Sequence, residues 1–167
     1  VVVYIVDTGI RASHNEYSSR VAAGTDTVDN DSIPEDCHGH GTHVAGTAVG
    51  TQYGVAKGAT VVGVRVLDCS GSGSYSGVIG GLEWIAANHG TNHPGKSAVA
   101  NMSLGGPASA TMDAAVQSLS NSGVTVVVAA GNSSAPASGY SPARATSAVT
   151  VGSTTSTDGR SYFSNYG

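Results

Sequence analysis

Val1-Val2-Val3-Tyr4-Ile5-Val6-Asp7-Thr8-Gly9 places six apolar residues, with no polar alternation, directly before a carboxylate. A run of that kind reads as a β-strand covered on both faces, which is the condition of a parallel sheet packed between helices. Residues 60–67 and 124–128 read as further buried strands, and residues 97–103 as a strand. Helix-like segments separate these runs. One begins near His40, and a second covers 75–87, where Val78, Ile79, Leu82, Ile85 and Ala86 fall at helical spacing before Gly90 and Pro94 stop it. A third covers 109–120, with Ser109 or Thr111 as its N-cap and Gly123 at its end. Strand and helix in alternation predict an α/β, doubly wound, mostly parallel sheet with right-handed crossovers and helices on both faces. No internal repeat, charge block or Pro-rich linker divides residues 1–167, so one domain is expected.

Asp7 therefore stands at the carboxyl end of a buried strand, where open α/β sheets gather their ligands and reactive groups. An Asp capping a turn is the plain alternative, and Asp-Thr-Gly is well suited to it. Asp-Thr-Gly is also an aspartic-protease signature, but that chemistry needs two such carboxylates at close quarters and the chain has one copy.

The second informative stretch is His38-Gly39-His40-Gly41-Thr42-His43-Val44-Ala45-Gly46-Thr47. Each glycine costs a helix interior roughly 1 kcal/mol relative to alanine, so three of them beside three imidazoles imply close approach of the backbone to something. Three readings compete. His38, His40 and His43 could ligate zinc, although the position before the last histidine is Thr42 and not an acid. The stretch could be a polar loop entering a small-residue helix. Or one histidine is a general base at a helix start, paired with a distant carboxylate.

Val6-Asp7-Thr8-Gly9-Ile10, His40-Gly41-Thr42-His43-Val44-Ala45-Gly46-Thr47 and Ala129-Ala130-Gly131-Asn132, in that order, resemble three signatures of the subtilisin-like serine proteases, in their proteinase K and aqualysin branch. Supporting segments are Tyr53-Gly54-Val55-Ala56-Lys57, Val64-Arg65-Val66-Leu67-Asp68, Ser103-Leu104-Gly105-Gly106, Tyr140-Ser141-Pro142-Ala143 and Phe163-Ser164-Asn165-Tyr166-Gly167. The resemblance spans essentially the whole sequence. It implies a serine endopeptidase in which His40 is the base, Asp7 orients it, and the Asn132 amide donates to the developing oxyanion, leaving His43 as a buried or supporting residue.

For substrate, the resemblance implies that Gly71, Ser72, Gly73 and Tyr75 form one extended edge and Ser103, Leu104, Gly105 and Gly106 the other, with a peptide clamped between them as an added strand. Ala129, Ala130 and Gly131 would wall the pocket for the residue before the scissile bond, and Tyr75 would close an outer pocket. A flexible surface loop is the plain alternative for the glycine-serine run.

The sequence departs from the family in one respect: Gly-Thr-Ser-Met-Ala, the context of the family nucleophile, does not occur, and Ser133, Ser147 and Ser156 sit in other contexts. The segment that precedes the Asp7 strand in relatives is also missing. The expectation is an internal portion of a longer protease, truncated at both ends, incomplete in fold and inactive alone. A non-catalytic peptide-binding pseudoprotease is the competing reading, and a zinc-dependent hydrolase built on His38, His40 and His43 is the third.

Composition fits a compact secreted domain: 40% of residues are hydrophobic and 11% charged, enough for one core and too little for a disordered or nucleic-acid-binding segment. The net charge of −4 comes without a basic cluster, which argues against nucleic acid as partner. No apolar stretch approaches the roughly 20 residues of a membrane span. Residues 1–6 lack the basic flank of a signal peptide, so any targeting sequence is expected to have been removed or omitted. A monomer acting on peptide or protein substrates is expected.

Cys37, just before the histidine motif, and Cys69, just after the strand at 60–67, belong at one rim of the sheet, and the aqualysin-like enzymes it resembles bridge matching positions. A disulfide there favours an oxidising compartment and an extracellular site of action. The resemblance requires no cofactor for chemistry. Calcium is a family habit, for which Asp26, Asp29, Asp31, Glu35 and Asp36 offer oxygen atoms, but their spacing matches no metal motif and a solvated acidic loop is the preferred reading.

Overall fold

The computed structural model describes residues 1–17 and 19–167. Six strands form the main sheet, in the order β2 (Val21–Asp26), β3 (Thr60–Arg65), β1 (Val2–Asp7), β4 (Ala98–Met102), β6 (Val124–Ala129), β8 (Val149–Val151), and every neighbouring pair is parallel. The fold class follows as expected. β1 sits in the middle, and its side chains divide by parity: Val2, Tyr4 and Val6 join one core cluster, Val3 and Ile5 the other. Each cluster is roofed by helix. Helix α1 (His40–Val49) contributes Ala45 and Val49 to one, while α2 (Tyr75–Asn92) and α3 (Ala110–Asn121) contribute Val78, Leu82, Ile85, Met112, Val116 and Leu119 to the other. Two-sided burial is the reason β1 reads as unbroken apolar sequence.

Local chemistry fixes the helix limits. The Ser74 hydroxyl accepts from the Gly77 amide and caps α2, and the Ser109 hydroxyl accepts from the Met112 amide and caps α3, which selects Ser109 over Thr111. Gly123, at φ +92°, lets the chain turn from α3 into β6. Helix α2 runs five residues past its expected end at 87, with Gly90 inside it. A Cβ at Gly90 would meet nothing within 4 Å, so the glycine weakens this exposed turn without stopping it.

Four strands escaped the sequence reading. β2 carries small residues with a mixed burial pattern, and it approaches β3 so closely that a Cβ on Gly24 would lie 1.9 Å from the Gly63 carbonyl oxygen. β8 is a three-residue edge strand with exposed valines. β5 (Gly106–Pro107) pairs antiparallel with β7 (Tyr140–Ser141) in a separate two-stranded ribbon. No helix among the described residues is long and apolar enough to cross a membrane.

Candidate active site

At the carboxyl end of β1, flanked on both sides by strands, the Asp7 side chain is fully buried. Its Oδ1 accepts from the Thr8 amide at 2.7 Å and from Nδ1 of His40 at 2.7 Å. A carboxylate can only accept, so the bond places a proton on Nδ1, and in the neutral ring Nε2 is then the atom with the lone pair. The His40 side chain is 44% exposed, and its Nε2 has no hydrogen-bond partner among the described residues. Asp7 Oδ2 is likewise buried without a partner among them.

His40 is the first residue of α1, so its position depends on how that helix starts. Gly39, at φ +106°, provides no side-chain cap. Asp36 serves instead: Oδ1 accepts from the amides of His38 at 2.9 Å and Gly39 at 2.8 Å, and Oδ2 from the Thr42 amide at 3.0 Å and the Thr42 hydroxyl at 2.5 Å. These are the amides a helix start leaves unpaired. Burial alone would raise the Asp36 pKa, but donation from Gly39, Thr42 and His38 outweighs it and holds the carboxyl at about 2. Thr8 links this cap to β1, its hydroxyl donating to Asp36 Oδ1 at 2.9 Å and accepting from the Gly41 amide at 2.9 Å. Nothing in residue periodicity singled out Thr8 or Asp36 for this task.

Two walls bound the space in front of His40. In the first, Asp68 gathers residues 68–72, its Oδ1 accepting from the Ser70 amide and hydroxyl and the Ser72 amide, and the Cys37–Cys69 disulfide ties the loop to the start of α1. The second is 103–107, backed by the β5–β7 ribbon. A cleft of about 590 Å³ between them is lined by Thr8, His38, His40, Leu67, Gly71, Ser72, Gly73, Tyr75 and Ser103 through Pro107. The Tyr75 hydroxyl crosses from one wall to the other and donates to the Pro107 carbonyl. A second cleft of about 360 Å³ shares Ser103, Leu104, Gly105 and Gly106 and adds Ala129, Ala130, Gly131 and Asn132. Every expected substrate-binding position thus lines one of two adjoining clefts.

Asn165 holds the second cleft in shape. Its side chain, in a residue 2% exposed, accepts at Oδ1 from the amides of Ser133 and Ala135 and donates from Nδ2 to the Ala130 carbonyl. No sequence signal marks that role, because the loop it braces lies about 30 residues upstream. His43 is neither buried nor part of the Asp7–His40 pair: it is exposed, on a cavity it shares with His14, Glu16 and Tyr17.

No group of three His, Cys, Asp or Glu side chains among the described residues is arranged to hold a metal. Of the acidic residues considered for calcium, Asp26 and Asp29 each accept from Arg65 at 2.6 Å, Asp31 accepts from the Ile33 amide, and Asp36 caps α1.

Comparison with known proteins bears on the family and the fold. A sequence profile described as the Subtilase family matches residues 1–167. The chain is 59% identical over 167 residues to the alkaline serine exoprotease A of Vibrio alginolyticus, covering all of this chain and 30% of that protein. It is 59% identical over 167 residues to the extracellular serine proteinase of Thermus sp. (strain Rt41A), covering all of this chain and 40% of that one. The crystal structure of a cold adapted subtilisin-like serine proteinase superposes with a TM-score of 0.94 at 56% identity, over 99% of this chain and 59% of that chain. The chain therefore spans 30% to 40% of the length of these two curated relatives.

Proposed function

The chain belongs to the subtilase family, and from that we propose that residues 1–167 are part of the catalytic domain of a secreted, monomeric serine endopeptidase. The observation that carries the reading is the 2.7 Å bond from His40 Nδ1 to a fully buried Asp7. In the proposed reaction, Nε2 of His40 removes the proton from a serine hydroxyl as it attacks the peptide carbonyl. Asp7 holds the tautomer and stabilises the imidazolium, and the Asn132 amide donates to the oxyanion. The peptide lies as an added strand between residues 71–73 and 103–106. Ala129, Ala130 and Gly131 bound the pocket for the residue before the cleaved bond, and Tyr75 closes an outer pocket.

The 167 residues contain no Gly-Thr-Ser-Met-Ala. The proposal assigns the nucleophile to sequence outside them and expects the chain alone to be inert. The purified chain should neither hydrolyse peptides nor react with a fluorophosphonate. The longer protein should do both, and Asp7→Asn should lower its turnover by about 10⁴. Peptide hydrolysis by the chain alone would refute the assignment of the nucleophile. A longer protein that binds peptides without cleaving them would be a pseudoprotease, and the enzymatic reading would fall.

A further inference from the structure

Arg65 ends β3 at 6% exposure, and its guanidinium is used unevenly. Nη1 donates to Asp26 Oδ2 and Asp29 Oδ2, both at 2.6 Å. Nη2 faces the disulfide, 3.5 Å from Cys37 Sγ and 3.8 Å from Cys69 Sγ, and Nε is buried with no partner among the described residues. Disulfide sulfurs are weak acceptors, so half of a buried guanidinium has little to bind while the bond is intact. A thiolate would be a far better partner, through a charge-assisted hydrogen bond. The bond is also reachable, since both cysteines are exposed.

The geometry points to Cys37–Cys69 as a thiol-exchange site, at which a low-molecular-weight thiol opens the bond while Arg65 holds the departing Cys37 thiolate. The incoming thiolate forms a new S–S bond to Cys69 Sγ, and the Cys37–Cys69 bond breaks. Its electron pair leaves on Cys37 Sγ, beside Nη2. A second thiol resolves the mixed disulfide, so two external thiols are oxidised to one disulfide and the pair is reduced by two electrons. Cys37 is the leaving group because it has the shorter contact to Nη2.

Four carboxylates oppose the thiolate, and each is partly offset. Asp26 and Asp29 are held on the far side of the guanidinium, at Nη1, and the Asp29 side chain is 62% exposed, hence screened by water. Asp36, next to Cys37, accepts from the amides of His38, Gly39 and Thr42, and Asp68, next to Cys69, from residues 70 and 72. Opening the bond would release residues 68–73 from the start of α1 and so loosen one wall of the cleft. The site stands independently of the proteolytic reading.

The test follows the opening of the full chain by glutathione, with acid quenching and mass spectrometry, in the parent, Arg65→Gln and Asp29→Asn. Arg65→Gln should slow opening about tenfold, and Asp29→Asn, which removes an opposing charge at an exposed position, should speed it about threefold. Glutathione should be found on Cys69. In the reduced parent, alkylation of Cys37 by iodoacetamide should reach half its maximal rate below the ordinary thiol value of about 8.5. This arm stands even where Arg65→Gln fails to fold. Unchanged or slower opening in Asp29→Asn, glutathione on Cys37, or an ordinary Cys37 alkylation profile would each overturn the proposal.

Discussion

The Thr8 hydroxyl donates to Asp36 Oδ1 at 2.9 Å while it accepts from the Gly41 amide at 2.9 Å, so the residue after Asp7 and the cap of the His40 helix share one bond network. The offset between strand and helix is set there, and Asp7 and His40 inherit their 2.7 Å spacing from it.

That network should be sensitive to acid. The Asp36 carboxyl is held at about 2 in the folded chain, below its ordinary 3.8. Its contribution to stability is therefore complete above about 3.8 and is lost as the pH falls from there towards 2. Thermal unfolding followed by circular dichroism should show the midpoint falling across this window. Asp36→Asn should lower the midpoint at neutral pH and flatten that part of the profile. A parallel profile for the variant would show that other carboxyls carry the acid sensitivity.

Two glycines of α1 should respond in opposite ways to alanine. A Cβ at Gly41 would stand 2.2 Å from the Gly9 carbonyl oxygen and 3.2 Å from the Asp7 Cβ, whereas one at Gly46 would meet nothing within 4 Å. Gly41→Ala should destabilise by about 1–3 kcal/mol through overpacking. Gly46→Ala should stabilise by about 0.5–1 kcal/mol. Denaturant midpoints decide the matter, and equal shifts would mean that α1 does not rest on β1 as closely as described.

Asn165→Ala removes two acceptor bonds and one donor bond at a buried site. It should cost about 1–3 kcal/mol of chain stability. In the longer protein it should depress kcat more than it raises KM, because the loop carrying Asn132 loses its brace. A variant with parental stability and parental kcat would show that residues 130–135 hold their shape without it.

What the sequence displayed and what it concealed differ for physical reasons. β1 is read easily because burial on both faces demands an unbroken apolar run, whereas β3, β4 and β6 are marked by apolar content alone, β4 and β6 being buried on alternate residues, and α1 is marked by its histidines and glycines. β2 stayed hidden because its strand character comes from pairing with β3 and from the Gly24–Gly63 contact, neither of which leaves a hydrophobic period. Asp7 and His40 were legible as chemistry within motifs. Thr8, Asp36 and Asn165 act by orienting backbone amides of other segments, and such a task becomes visible only when those segments are brought together.

β1 lies between β3 and β4, so the strand that ends in Asp7 finds its partners only at residues 60–65 and 98–102. Closing loops of that length is slow compared with forming a helix, and α1, whose bonds are local, can appear long before the sheet does. An emerging chain therefore presents its imidazole early and its anchored carboxylate late. The Asp7 carboxylate and the His40 imidazole meet only once the centre of the sheet is assembled, so their bond forms with the last long-range pairing rather than with the helix.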